Sequence, residues 1–140
     1  MCGICGIYNY EENQVVDKNI INKMTKEIEH RGPDDKGVYI KNNIALGFRR
    51  LSIIDLSEKG HQPMSNLRQD IWVVFNGEIY NYIEIKNELK SAGYAFRSDS
   101  DTEVIINGYE EWGEDVLNHL NGMFGLAIWK KKKKKLILAR

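Results

Sequence analysis

Only two cysteines and two prolines occur among the 140 residues. Two cysteines are too few for the disulfide framework that staples a small secreted domain. Their spacing, Cys2-x-x-Cys5, first suggests a redox pair or half a zinc site. Three residues of strand span roughly 10 Å, beyond the ~7 Å limit on Cα separation across a disulfide. An odd spacing also turns the two side chains to opposite faces. Zinc would need two further ligands, and His30, His61 and His119 show no ligand-like spacing. No apolar run approaches the ~18 residues of a membrane span. The opening MCGICGIYNY lacks the basic segment of a secretory signal. Net charge is absent too: 20 basic residues balance 20 acidic ones, so the chain as a whole has no bias toward polyanions. These absences point to one ordinary domain in a reducing, cytoplasmic setting, with no membrane or nucleic-acid partner.

The charge balance hides an asymmetry. Lys130 to Lys135 form an unbroken lysine run, and outside it acidic residues exceed basic ones by six. A run of this kind reads as the solvated tip of a hairpin between two apolar strands. The sharper alternative, a patch for nucleic acid or acidic lipid, would have neither interleaved aromatics nor arginines and would give non-specific attraction at most.

Residues 3–9 are small, apolar and β-branched, which predicts a buried strand. From Asp17, a plausible N-cap, Ile20, Ile21, Met24 and Ile28 recur at helical spacing on one face. Pro33 ends that helix within His30-Arg31-Gly32-Pro33-Asp34-Asp35. Val38–Lys41 and Ile44–Phe48 flank Asn42-Asn43 and predict a hairpin. Residues 57–70 read as polar loop and Ile71–Phe75 as a strand. Tyr82–Ala92 predicts a helix with Gly93 just past its end. Tyr94–Arg97 reads as a short strand and Thr102–Trp112 as another helix. Phe124–Trp129 and Leu136–Ala139 read as a hairpin around the lysines. Paired strands and separate helical blocks, without βαβ alternation, give an α+β class.

Cys2 is unusual for its position. When the second residue is this small, the initiator methionine is normally excised, and Cys2 then carries both a thiol and an α-amine. Reference values for those two groups lie within about one pKa unit, so proton transfer between them is nearly balanced. A terminal cysteine can then act as nucleophile and base together. Taken alone, a buried cysteine at the start of a strand is the better reading.

Five strings change that weighing: Met1-Cys2-Gly3-Ile4, Arg31-Gly32-Pro33-Asp34, Arg50-Leu51-Ser52-Ile53-Ile54-Asp55, Asn76-Gly77-Glu78-Ile79-Tyr80-Asn81 and Ser100-Asp101-Thr102-Glu103-Val104. Each is weak alone, and Asn-Gly after a strand is ordinarily a turn. In this order they resemble the class II glutamine amidotransferases, over nearly the whole chain. Arg-Gly-Pro-Asp and Asn-Gly-Glu-Ile-Tyr-Asn look like the branch of glutamine-hydrolysing asparagine synthetases. The resemblance implies an N-terminal-nucleophile hydrolase fold, a four-layer α/β/β/α sandwich of two antiparallel sheets between helices.

It also implies roles. Cys2 would attack the side-chain amide of glutamine, releasing ammonia and then glutamate by way of a thioester. The Asn76 side-chain amide and the Gly77 backbone N–H would form the oxyanion hole, where a glycine leaves room for substrate. Arg50 would clamp the α-carboxylate with its planar fork, and the backbone of Leu51, Ser52, Ile53 and Ile54 would line that side. Asp101, with Glu78, would receive the α-ammonium; Asp101 also reads as the N-cap of the helix that follows. Arg49 does not match the family string and reads as surface.

Against the family pattern the 140 residues stop before the domain does, and a separate synthetase domain is expected to follow. No Gly-rich nucleotide loop occurs in this chain, so ATP and Mg are expected only in that domain, with no cofactor or metal here. The competing readings are a glutamine-binding or regulatory module without turnover, and an amidotransferase with another acceptor. A homo-oligomer is left open by the sequence.

Overall fold

The computed structural model describes residues 2–52 and 58–140. They form two compact units, one of residues 2–52 and 61–63, the other of residues 58–60 and 64–140.

The first unit is a three-stranded antiparallel sheet with one helix. Its strands are β1 (Gly3–Tyr8), β2 (Asp35–Lys41) and β3 (Ile44–Arg50), in the order β1-β3-β2. Every residue of the central strand β3, which is paired on both sides, is buried. Helix α1 (Lys18–Glu27) starts where Asp17 accepts the Asn19 N–H at 2.8 Å. That bond satisfies one of the donors a helix start leaves free. Ile21 packs against Ala45 and Val16, with Cys5, Met24 and Val38 around them. Ile20, expected on the same face, is half exposed. The β2–β3 hairpin turns at Asn42-Asn43 as predicted, and Asn42 takes the left-handed conformation that asparagine tolerates (φ 52°).

In the second unit β4 (Met64–Ser65), β5 (Ile71–Ile79), β6 (Gly122–Lys130) and β7 (Lys135–Ala139) form a sheet in that order, antiparallel throughout. Helices α2 (Tyr82–Ser91) and α3 (Asp101–Trp112) cover it, and the short helix α4 (Val116–His119) follows. The core joins Val73, Phe75 and Ile79 of β5 and Leu126 and Ile128 of β6 to Ile85, Leu89, Val104, Ile105 and Ile106 of the helices. Gly93 has φ 98°, the left-handed residue that ends a helix as anticipated. The lysines form the expected hairpin tip, a 3-10 turn at Lys131–Lys133 between β6 and β7.

Four expectations are corrected. Residues 3–9, expected as a buried strand, give the edge strand β1, in which only Gly3 is buried. Tyr94–Arg97 is not a strand: Tyr94 donates its N–H to the Leu89 carbonyl, and the Arg97 N–H goes to the Glu103 carboxylate. The Ala95 carbonyl accepts from the Asn107 side chain. This backbone is satisfied by helices, so it has no need of a sheet neighbour. Strand β5 does not stop at Phe75 but runs through Asn76-Gly77 to Ile79, paired with β6 all the way. Residues 57–70, read as loop, include a 3-10 turn at Glu58–Gly60 and the two residues of β4. Among the described residues, no helix is long and apolar enough to cross a membrane.

Candidate active site

The expected site residues fall into two groups, one in each unit. In the first unit, Cys2 sits just ahead of β1 with its thiol against the chain that leaves β3. Its Sγ accepts the Leu51 N–H at 3.4 Å and lies 3.6 Å from the Leu51 carbonyl, to which it donates. The backbone of Cys2 is held as well, because Arg31 Nε donates to its carbonyl at 3.1 Å. Cys5 faces elsewhere, with its sulfur 3.7 Å from Thr25 Oγ1, and burial pushes its thiol above the ordinary range. Both cysteines are free thiols. They serve different surroundings.

The Arg-Gly-Pro-Asp string explains how the chain around Leu51 is fixed. Asp34 donates its N–H to the Arg50 carbonyl at 3.0 Å, and its carboxylate accepts the Ser52 N–H at 2.8 Å. Gly32 lies so close to β3 that a Cβ there would fall 2.5 Å from the Arg50 carbonyl carbon. Any side chain at that position would push the two segments apart. Arg31, Gly32 and Asp34 thus hold the segments that carry Cys2 and Arg50-Leu51-Ser52. Sequence reasoning gave them no role, since their partners lie far along the chain.

Arg50 is buried at the end of β3. Arg49, read as a surface residue, is buried too. Its Nε donates to the Thr25 carbonyl at 3.1 Å and its Nη2 pairs with Glu29 at 2.9 Å. The alternation of a strand requires this: if Arg50 points to one face, Arg49 points to the other, under α1. A cavity of about 590 Å³ lies there, between α1 and β2, with Arg49, Lys26 and Lys36 in its wall. None of the expected site residues lines it. Ile53 and Ile54 lie outside the described residues.

In the second unit the structure brings Asn76, Gly77, Glu78 and Asp101 together. Asn76 and Gly77 do not make the turn that Asn-Gly ordinarily makes. They sit inside β5 opposite Gly125 and Phe124. Gly77 has φ 153°, and a Cβ there would fall 2.2 Å from the Met123 carbonyl oxygen, so the position demands glycine. The Asn76 side-chain oxygen is buried with no hydrogen-bond partner among the described residues. An orphaned buried amide end costs about 1–3 kcal/mol, the kind of cost a binding site carries.

Asp101 lies in the first turn of α3, and its carboxylate accepts the Ile79 N–H at 3.2 Å. Burial pushes its carboxyl up to about 6, and the charge of Glu78 adds to that, against backbone N–H donors that favour the ionised form. The N-cap of α3 is Ser100, not Asp101: the Ser100 hydroxyl accepts the Thr102 N–H at 3.2 Å. The Asp101 carboxylate meets the backbone N–H groups of Ile79, Thr102 and Asp101 itself. Glu103, quoted within a string but given no role, is 2% exposed and gathers donors from the loop before Asp101. Its signal was legible, a glutamate three residues after an N-cap serine.

The fold is that of an amidotransferase. A solved glutamine phosphoribosylpyrophosphate amidotransferase from B. subtilis superposes with TM-score 0.76, covering 97% of this chain and 36% of that one at 19% identity. This α+β architecture is the N-terminal-nucleophile hydrolase fold that the motifs led us to expect. Over residues 1–140 the sequence matches the family described as "Glutamine amidotransferase domain", and the chain belongs to it. It is similar to asparagine synthetase [glutamine-hydrolyzing] 1 of Bacillus subtilis (strain 168), 45% identical over all of this chain and 22% of that protein. The putative asparagine synthetase [glutamine-hydrolyzing] 2 of Methanocaldococcus jannaschii is 43% identical over all of this chain and 30% of its own length. For the asparagine synthetase [glutamine-hydrolyzing] of Zea mays the figures are 37% identity, all of this chain and 23% of the relative. The chain thus spans between about a fifth and a third of these curated relatives.

Proposed function

We propose that this chain hydrolyses the side-chain amide of L-glutamine and that the ammonia amidates aspartate in a synthetase domain of the same polypeptide. The Cys2 sulfur forms a bond to the amide carbon while the α-amine takes the thiol proton. Asn76 and the Gly77 N–H stabilise the oxyanion. The C–N bond breaks, ammonia leaves carrying that proton, and water releases glutamate from the thioester. Arg50 pairs with the α-carboxylate, Leu51 and Ser52 line its side with Ile53 and Ile54, and Asp101 with Glu78 takes the α-ammonium. No cofactor or metal is needed here; ATP and Mg belong to the synthetase step. A cytoplasmic setting suits a free thiol nucleophile.

The observation that carries the reading is the Cys2 sulfur held between the Leu51 N–H and carbonyl, in a segment built for that purpose by Arg31, Gly32 and Asp34. The relatives' names support glutamine as the compound hydrolysed and asparagine as the product of the whole protein. The test is glutamate release by the full-length protein. Cys2→Ala should abolish it and Cys5→Ser should leave most of it. Loss of activity in a folded Cys5→Ser variant would assign the chemistry to the wrong cysteine in this reading.

A further inference from the structure

We propose that Glu103 is a positioning residue that fixes the loop ahead of α3 so that Asp101 meets the α-ammonium of glutamine. The inference rests on the role of Asp101 proposed above.

A glutamate three residues after an N-cap serine ordinarily reaches back to the N-cap N–H and closes a capping box. Here the bond is relayed. The Ser100 N–H goes to Ser98 Oγ at 3.3 Å, and Ser98 Oγ donates to Glu103 Oε2 at 2.6 Å. Glu103 Oε2 also accepts the Ser98 N–H at 2.8 Å. The Arg97 N–H reaches both carboxylate oxygens, at 2.9 and 3.0 Å, and Arg97 Nε approaches Oε1 at 3.4 Å. A buried carboxylate is costly unless its lone pairs are met by donors. All these donors come from Arg97 and Ser98, with Ser100 joined through the hydroxyl.

Starting a helix does not require this, because the Ser100 hydroxyl already caps α3 through the Thr102 N–H. The additional bonds hold the approach to Asp101 from one side, while its carboxylate is held from the other by the Ile79 N–H. Arg97 extends the framework, donating through Nη2 to the Ser65 carbonyl at 2.6 Å. A carboxylate that must meet an ammonium in one geometry needs support of this kind, since small misplacements cost heavily in binding.

The experiment compares two ligands on the full-length protein: glutamine, through KM and kcat, and glutaramate, which keeps the amide and carboxylate but lacks the α-amine, through its inhibition constant. Glu103→Gln should raise KM for glutamine about 10–100-fold with a smaller change in kcat. It should leave the glutaramate inhibition constant within about 3-fold of wild type, because that ligand makes no use of Asp101. Ser98→Ala, which breaks only the relay, should show the same pattern more weakly and covers the case in which Glu103→Gln does not fold. Equal weakening of both ligands would mean a merely structural role, and an unchanged KM in both variants would mean none; either overturns the proposal. Asp101→Asn is the reference. If it fails to discriminate glutamine from glutaramate, the assignment of Asp101 falls; if it discriminates and the Glu103 and Ser98 variants do not, only this inference falls.

Discussion

The carboxylate of Asp101 accepts the backbone N–H of Ile79 at 3.2 Å, tying the first turn of α3 to the strand that carries Asn76, Gly77 and Glu78. Burial, reinforced by Glu78, holds that carboxyl up at about 6. An ammonium is bound well only by the ionised acid. KM for glutamine should therefore rise as pH falls through about 6, with little change above 7. A KM profile flat from pH 7 to pH 5 would remove Asp101 from the ammonium site.

The same shift makes a stability statement of opposite sense. The folded state holds the Asp101 proton more tightly than the unfolded chain, whose value is near 3.9. Stability should then fall as pH rises from about 4 to about 6, by roughly 3 kcal/mol for a shift of about two units. Asp101→Asn should remove that slope and raise stability at pH 7 while impairing glutamine capture. Denaturant titrations at pH 4.5 and 7 read this directly, and a variant less stable than wild type at pH 7 would contradict it.

Asn76→Ala should lower kcat by about 10²–10³-fold with a smaller effect on KM, as loss of one oxyanion donor does. Arg50→Lys should instead raise KM, since an ammonium cannot reproduce a bidentate fork. Steady-state kinetics on the two variants separates them. A change confined to KM in Asn76→Ala would refute its oxyanion role.

The strands were legible where their hydrophobic pattern met no competing signal, as in Ile71–Phe75 and the hairpin at Asn42-Asn43. They were misread where two physical rules conflict. Asn-Gly is a turn signal, yet Gly77 accepts an extended, positive-φ conformation against β6 and carries the strand through. Tyr94 and Phe96 alternate as in a strand, but both pack on the core shared by the sheet and the helices, and the backbone here bonds to α2 and α3. Helix α4, four residues long, is too short to show a period. The candidate site residues could be named from strings, because each string carries its own chemistry. The supports Arg31 and Asp34 could not be recognised this way: their partners are set by register, which no local window contains.

The lysine run also has a hidden anchor. Asp70, 5% exposed, accepts from Asn66 Nδ2 at 2.7 Å and pairs with Lys130 at 3.3 Å and Lys132 at 3.7 Å. Its carbonyl takes the Lys131 N–H at 2.8 Å. The Asn66 bond, then Lys130, hold its carboxyl down at about 2. With a depressed folded value, the stabilisation is present above about pH 4 and lost as pH falls toward 2. Asp70→Asn should cost about 1–3 kcal/mol at pH 7, by leaving Lys130 without its partner, and should be nearly neutral at pH 2. Thermal melts at the two pH values decide it: equal losses at both would mean the carboxylate charge contributes nothing.

The last prediction concerns the amine. While Met1 remains attached, the nitrogen of Cys2 is an amide, its lone pair delocalised into the carbonyl, and it cannot take a thiol proton near neutral pH. Removal of Met1 creates in one step the base that the proposed mechanism needs, on the residue proposed as its nucleophile. The fraction of molecules that begin at Cys2 should therefore equal the fraction that is active. Intact mass gives the first quantity. Titration of active thiols with a glutamine-like alkylating agent, followed by mass, gives the second. Preparations expressed with and without a methionine aminopeptidase supply the range over which the two should track each other. If a preparation that retains Met1 throughout released glutamate at the full rate, the α-amine would be dispensable. The proton would then have to leave by a route that does not use the terminal nitrogen.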